Sequence, residues 1–160
     1  MLKDLISEVT FGFSEDMYGR YKDLETGAEG KYDFSVVCTA DNFYKFLFDK
    51  TDKRRLGLEG IVRVSSSSQV HEAPIHGSLV LFEDMKLKYE FAYVDPVTDE
   101  EMLYRGQKNI TPLHPVKSMT TLYGKVYCTS KGGIERADVL SYFLLSDLFD
   151  FLKTFRLKFA

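Results

Sequence analysis

The segment Tyr104–Asn109 (YRGQKN) is the strongest candidate for binding chemistry in this chain. Because alternate residues of a β-strand share a face, the segment would present two rows of side chains. The first row is Arg105, Gln107 and Asn109, and the second is Tyr104, Gly106 and Lys108. Inside a barrel, one row would be a polar wall for the head group of a ligand. Outside, it would be the solvated side of the strand, and both interpretations stay open.

The histidines and cysteines do not have the spacing of a metal site. His71 and His76 fall on opposite faces if they share a strand, and no HxH or HExxH motif occurs. His114 lies in a loop between prolines, where we expect it to be exposed. Cys38 and Cys128 occupy inward positions of predicted strands, so we expect two buried free thiols. A disulfide between them remains an alternative.

Motifs for nucleophilic catalysis and phosphate binding are absent from the sequence. It contains no GxSxG, no GxGxxG and no GxxxxGK[ST]. Carboxylate pairs such as Glu83/Asp84 and Glu100/Glu101 lie at predicted turns, where turn geometry explains them. We therefore expect no catalytic residue, no metal ion and no cofactor, although enzymatic activity stays an open alternative.

Length and charge narrow the class of protein. The 160 residues suit one domain, residues 1–160, and the 13 Phe and 10 Tyr suit strands. The net charge of −3, with both signs interspersed, argues against a nucleic-acid partner, which would favour a basic face. No apolar stretch has the length of a signal peptide or membrane span. We expect a cytoplasmic protein without an integral membrane segment.

A two-residue rhythm of apolar and polar residues runs through most of the chain. At 86–93, Leu87, Tyr89, Phe91 and Tyr93 alternate with charged residues and an alanine. The pattern predicts strands at 11–19, 31–39, 57–64, 76–82, 86–94, 101–110, 119–129, 134–144 and 155–159. Short helices are predicted at 41–48 and 146–153, and residues 1–9 as an N-terminal helical arm.

These elements predict a mostly β fold. Antiparallel strands joined by hairpins lose their exposed edges when the sheet closes. We expect a closed or nearly closed up-and-down barrel, calycin- or lipocalin-like, of about eight to nine strands with one or two short helices. A sandwich is the alternative. Gly60, Gly77, Gly106 and Gly124 fall within predicted strands, where they mark bends or make room for a ligand.

Several short motifs, taken in order, resemble a known module. Phe13–Gly19 resembles an F-[TS]-E-x-M-x-G opening, and Leu58–Val62 resembles the strand that follows it. The other matching segments are 77–82, 85–91, 104–110, 120–123 and 152–156. Together they resemble the β-rich module that accompanies cholesterol-oxidase-like, flavin-dependent GMC oxidoreductases and some α/β-hydrolase-type proteins. The resemblance implies an accessory domain of lipid or sterol metabolism and carries over no catalytic residue.

Three functions are compatible with these patterns. The first is a non-catalytic binding module that holds an apolar, lipid- or sterol-like molecule or docks on a lipid-modifying or redox enzyme. The second is a small enzyme that uses Arg105, Lys108 or a tyrosine at the barrel mouth. The third is a structural module that forms a homo-oligomer. The residues expected to contact a ligand are Tyr89, Phe91, Tyr104, Arg105, Gln107, Lys108 and Tyr123.

Overall fold

Alternating apolar and polar side chains form strands, because such a strand can bury one face and hydrate the other. The computed structural model describes residues 9–40, 55–66, 69–83, 86–111, 113–143 and 156–159. Within these residues the strands are β1 (Val9–Asp23), β2 (Glu29–Ala40), β3 (Arg55–Ser66), β4 (Gln69–Glu83), β5 (Lys86–Val94), β6 (Glu101–Asn109), β7 (Thr121–Cys128), β8 (Ile134–Tyr142) and β9 (Arg156–Phe159). A short helix, α1 (Pro115–Thr120), precedes β7, and a 3-10 turn (Thr129–Lys131) follows it.

Strands β1 to β8 form a closed antiparallel barrel. Each of them pairs with the next along the chain. β8 then pairs with residues 18–23 of β1, which closes the sheet. β9 pairs with residues 9–12 at the start of β1. The predicted closed up-and-down barrel is therefore confirmed, and the sandwich alternative is excluded.

The inward positions of the barrel carry large apolar side chains. In β5, Leu87, Tyr89, Phe91 and Tyr93 are all buried, as the two-residue rhythm predicts. Other strands add further buried residues, among them Tyr32, Phe34, Val36 and Cys38 from β2, Leu56, Leu58 and Val62 from β3, and Met102 and Tyr104 from β6. The core is thus the lumen of the barrel, and it is rich in aromatic rings.

The described turns after β1, β5 and β7 lie together at one end of the barrel, which we call the hairpin end. The carboxylate of Asp23 accepts N–H bonds from Glu25 and Thr26 at 2.9 Å each. Asp95 accepts equivalent bonds from Val97 and Thr98 at 2.8 and 3.2 Å. Such Asp-initiated turns satisfy backbone donors locally. The turn predicted at 95–99 is confirmed.

Most strand boundaries differ from the predicted ones, usually by one or two residues, and β1 runs on to Asp23 instead of ending at residue 19. The strand predicted at 119–129 begins only at Thr121, because Pro115 starts helix α1 with a preset φ. The hydroxyl groups of Thr120 and Thr121 donate to the Lys117 carbonyl and close that helix. β4 begins at Gln69 rather than at residue 76, since it pairs with β3 from that point.

The helices predicted at 41–48 and 146–153 lie outside the described residues. The same holds for the predicted N-terminal arm, except for Val9, which begins β1. Among the described residues, no helix is long and apolar enough to cross a membrane.

Candidate functional site

Tyr104 lies inside the barrel, surrounded by aromatic rings from β2 and β5. Its ring stacks on Phe91 with 4.5 Å between centroids and on Tyr32 with 5.9 Å, and Phe34 lies 5.7 Å away. The Tyr32 and Tyr93 hydroxyl groups share a hydrogen bond of 3.0 Å. Aromatic pairs of this kind contribute about 0.5–1.5 kcal/mol beyond their burial. These five rings therefore form one packed cluster within the lumen.

Gly106 and Gly124 make room for the Tyr104 ring. A Cβ atom on Gly106 would overlap the Tyr104 hydroxyl, and one on Gly124 would lie 2.5 Å from that same oxygen. The two glycines lie opposite each other in β6 and β7. The sequence left open whether glycines within these strands mark bends or create ligand space. At this pair of positions, the space is filled by a side chain of the protein itself.

The Tyr104 hydroxyl ends beside the hydroxyl group of Ser141. Both oxygens are buried, and among the described residues neither has a partner that meets hydrogen-bond geometry. Burial raises the pKa of Tyr104 above its ordinary value, and the proximity of Ser141 opposes this shift. The aromatic cluster thus presents apolar ring faces, and at its edge the two buried hydroxyl groups of Tyr104 and Ser141 lie close together without a hydrogen bond of good geometry.

Glu15 and Lys108 form an ion pair inside the barrel, where their residues are only 4% and 2% exposed. The Lys108 ammonium donates to both carboxylate oxygens, at 3.1 and 3.2 Å, and the Tyr89 hydroxyl donates to one of them at 2.7 Å. The ammonium also lies 5.2 Å from the centre of the Tyr89 ring. A buried charge is tolerated only when it is paired and hydrogen-bonded, and these contacts meet that need.

The ion pair affects the ionisation of its neighbours. Burial raises the pKa of Tyr89 well above its ordinary value, and the Glu15 carboxylate raises it further. Burial likewise raises the pKa of the Cys38 thiol, with Glu15 adding to the shift and Lys108 opposing it. Since the thiolate is the nucleophilic form of cysteine, Cys38 at neutral pH is an inert core residue.

The seven residues predicted to contact a ligand divide between the two sides of the barrel wall. Tyr89, Phe91, Tyr104 and Lys108 face inward and are buried, whereas Arg105, Gln107 and Tyr123 face outward. Arg105 donates to Glu90 at 3.0 Å, and Gln107 donates to Asn109 at 3.0 Å. The structure therefore does not bring these seven residues into one site. Arg105 and Lys108, the two cations considered for an enzyme, lie on opposite sides of the wall.

Glu100 connects two turns of the hairpin end with β8. Its carboxylate accepts from Arg136 at 2.7 Å, from Lys131 at 3.2 Å and from the Cys128 thiol at 3.2 Å. The Cys128 bond is the largest influence, and together with the Lys131 bond and the nearby Arg136 it lowers the pKa of Glu100 to about 2. Arg136 also contacts Glu25 of the first turn at 3.3 Å. These ion pairs link the turns after β1, β5 and β7 to one another.

The histidines and cysteines are arranged largely as the sequence predicts. Cys38 and Cys128 are both buried and free. His76 and His114 are exposed, and His71 is half-buried. In the part of the chain that the structure describes, no cluster of three or more His, Cys, Asp or Glu side chains could hold a metal ion.

The outer wall formed by β1, β8 and β7 carries exposed tyrosines. Tyr18 lies directly opposite Tyr142, and Tyr123 lies directly opposite Leu140. Tyr18, Tyr142 and Tyr123 are 39%, 46% and 56% exposed. We call these three tyrosines and Leu140 the tyrosine face. Scattered exposed apolar residues are ordinary, but a contiguous group of them indicates an interaction surface.

An open groove of about 510 Å³ lies along the tyrosine face, and its lining includes Arg20, Lys22, Tyr123 and Leu140. Arg20 is opposite Leu140 on β8 and opposite Lys31 on β2. Within the described ranges, the side chains of Arg20, Lys22 and Lys31 have no ion pair or hydrogen bond. We call these three residues the basic corner. Glu29 and Asp138 lie opposite Lys22 on the two neighbouring strands and line the same groove, so this part of the surface carries both signs of charge.

The sequence patterns did not point to Glu15 or to the basic corner. Glu15 shares the inward phase of β1 with Phe13 and Met17, so its position in the alternation could have marked it as buried. The exposure of Arg20 and Lys22 also follows from that alternation. Which charged residues lie beside them does not follow from it, because Asp138, opposite Lys22, comes from a strand distant in the sequence.

Comparison with known proteins gives no relative. No protein-family model, no curated protein and no solved structure matches this chain. The resemblance to the module of GMC oxidoreductases stays a prediction.

Proposed function

We propose that this chain is a non-catalytic accessory module that docks on a protein partner through the outer wall of its barrel. The tyrosine face is the observation that carries this proposal, because Tyr18, Tyr123 and Tyr142 are exposed on three adjacent strands. Tyrosine and arginine are enriched among the residues that dominate binding energy in protein interfaces. Arg20 lies beside this face, across from Leu140.

The packing of the lumen supports docking outside the barrel over storage of an apolar molecule inside it. A calycin-like site would need free space between the inward aromatic rings. Tyr104 instead fills the space left by Gly106 and Gly124 and stacks on Phe91 at 4.5 Å. An apolar ligand at this level of the barrel would have to displace packed rings, which costs their mutual contacts.

The resemblance to the module of flavin-dependent GMC oxidoreductases supplies the class of partner. We propose a lipid-modifying or redox enzyme in the same compartment, the cytoplasm. In this proposal the barrel contributes binding surface, and the partner contributes the chemistry. Fold alone does not fix function, so the partner class must be tested directly.

The first test is native mass spectrometry of the purified full chain, with an organic extract analysed alongside. We expect a monomer mass with no added apolar molecule. A stoichiometric apolar molecule in the extract would overturn docking in favour of ligand storage. A dimer that Tyr123→Glu converts to monomer would overturn it in favour of self-assembly.

The second test is photo-crosslinking in cells, with a benzophenone amino acid placed at position 123. We expect one defined adduct, whose partner peptides mass spectrometry assigns to a lipid-modifying or redox enzyme. The same probe at Ile61, an exposed position on β3, is the matched control and should give no such adduct. Equal adducts from both positions, or none from position 123, would contradict docking by the tyrosine face.

A further inference from the structure

The charges that border the tyrosine face cancel one another. The sign of the charge alternates along a row of residues that lie opposite one another on β7, β8, β1 and β2, namely Lys125, Asp138, Lys22 and Glu29. Lys125 lies 3.8 Å from Asp138 and 3.1 Å from Glu135. A segment of one charge would therefore meet a like charge beside every opposite one, which costs binding energy. An uncharged segment is the electrostatic complement of this surface.

The exposed tyrosines of the face offer hydrogen-bond donors as well as aromatic rings. Tyr123 and Tyr142 are 56% and 46% exposed, and within the described residues their hydroxyl groups have no hydrogen bond. A docked segment that covers these rings must supply acceptors, because a buried hydroxyl group without a partner is costly. Backbone carbonyl groups are the acceptors that every uncharged segment carries.

The possible backbone conformations of a docked segment differ in the carbonyl groups that they leave free. A helix bonds its carbonyl groups internally except in its last turn. A strand would pair with the edge of the sheet, but β1, β8 and β7 each have a neighbouring strand on both sides near these tyrosines. A polyproline II segment has no internal hydrogen bonds, so all of its carbonyl groups are available. Aromatic-lined grooves are the usual sites that recognise this conformation.

The spacing of the apolar groups also fits a polyproline II segment. Tyr18 lies opposite Tyr142, and Leu140 lies opposite Tyr123, so the tyrosine face has two apolar pairs. The second pair lies one strand across and two residues along from the first, which is a separation of roughly 8 Å. A polyproline II segment repeats every three residues, or about 9 Å. Two prolines three positions apart would therefore each reach one pair.

We propose that the tyrosine face binds an uncharged, proline-rich segment of its partner in the polyproline II conformation. This inference rests on the proposed docking function and specifies the segment that is recognised. The prolines pack on the two apolar pairs, and carbonyl groups of the segment accept hydrogen bonds from the hydroxyl groups of Tyr123 and Tyr142. Because such a segment is extended before it binds, docking costs it little conformational entropy.

The test is a titration of the full ¹⁵N-labelled chain with three capped, uncharged peptides of equal length. The first repeats Ala-Pro-Pro, the second repeats Ala-Gly-Gly, and the third is an alanine-based helix with leucines along one side. We expect the proline peptide to bind at least about tenfold more tightly than the flexible glycine peptide. It should shift the amide signals of residues 18, 123, 140 and 142. Added salt should leave its binding unchanged, because no ion pair forms.

Variants of the outward tyrosines make the test specific. Tyr123→Ala and Tyr142→Ala should each lower the affinity for the proline peptide by at least about tenfold. Tyr123→Phe and Tyr142→Phe keep the ring and lose the donor, so each should lower this affinity by about two- to tenfold. Tyr127→Ala is the matched control, because Tyr127 also points outward on β7 but lies outside the tyrosine face, and it should leave the affinity unchanged. Retained backbone amide signals in every variant show that the barrel is folded.

Five outcomes would overturn the assignment to a polyproline II segment. They are no binding of the proline peptide, equal binding of the glycine peptide, tighter binding of the helical peptide, an equal loss in Tyr127→Ala, and a loss of affinity at high salt. None of these outcomes touches the docking proposal itself, which native mass spectrometry and crosslinking at position 123 decide separately.

Discussion

At the scale of single residues, the Glu15–Lys108 pair places two charges where water is excluded. The side chains are 3% exposed each, and Tyr89 supplies the remaining hydrogen bond to the carboxylate. Taking two ions out of water costs more than a weakly oriented pair returns, so geometry decides the balance. The pair therefore holds the middle of β1 to the C-terminal end of β6 more firmly than an exposed salt bridge could.

Removing one member of this pair should be far more harmful than replacing both. We expect Lys108→Met to lower the free energy of unfolding by about 3–5 kcal/mol, because Glu15 would stay buried without a counter-charge. The double variant Glu15→Leu with Lys108→Met should recover most of that loss. Urea unfolding followed by circular dichroism measures both, and a double variant no more stable than Lys108→Met would refute this view.

At the scale of elements, glycines in the strands have two different uses. A Cβ atom on Gly60 would overlap the Ser35 carbonyl oxygen, and one on Gly77 would overlap the Glu90 carbonyl oxygen. At these positions the backbone of a neighbouring strand approaches closely. Gly106 and Gly124 instead face the Tyr104 ring. The first pair permits close strand approach, and the second permits a large side chain.

This difference predicts different responses to alanine. Gly106→Ala should cost about 1–3 kcal/mol by overpacking, and Tyr104→Phe in the same chain should relieve part of that cost by removing the hydroxyl. Gly77→Ala should cost about 3 kcal/mol or more, toward the upper range of single substitutions, since the obstacle is backbone. Thermal unfolding of these three variants and of Gly77→Ala combined with Tyr104→Phe tests this, and relief of Gly77→Ala by Tyr104→Phe would count against it.

At the scale of the whole molecule, the lumen contains four tyrosine hydroxyl groups and one thiol whose pKa values are raised by burial. Burial raises the pKa of Tyr32, Tyr89, Tyr93 and Tyr104 above the ordinary value of 10.0, and that of Cys38 above 9.0. In the folded chain these groups stay neutral at a pH where the unfolded chain has lost their protons. The fold is consequently linked to their protonation.

We therefore expect stability to fall as the pH rises above about 9, where the unfolded chain begins to lose the Cys38 proton, and more steeply above about 10, where it loses the tyrosine protons that the folded chain retains. Four of the 10 tyrosines should ionise only together with loss of the β-sheet signal. Tyrosinate absorbance and circular dichroism, recorded along one alkaline titration, test this. Ionisation of all the tyrosines near pH 10 with an intact sheet would disprove it.

Local alternation determined much of the architecture. Because successive side chains of a strand point to opposite faces, the sequence predicted the bounds of β5 at 86–94 and all four of its buried residues correctly. The turn that begins at Asp95 could also be predicted, because its hydrogen bonds join residues that are close in the sequence. Helix α1 was missed because alternation around Thr121 extended backwards over a segment that Pro115 starts as a helix.

The sequence by itself determined the strand rhythm, most of the turns and a mostly β, antiparallel fold, because these depend on neighbours along the chain, and it left a sandwich open as the alternative to a barrel. Only the tertiary structure decided which row of β6 faces inward, that Lys108 meets Glu15 across 93 residues, and that Tyr18 lies beside Tyr142 on the outside. Those facts depend on closure and register, which bring together residues from distant strands. An alternating pattern divides the side chains of a strand between two faces, but packing across the barrel decides which residues of other strands each face contacts.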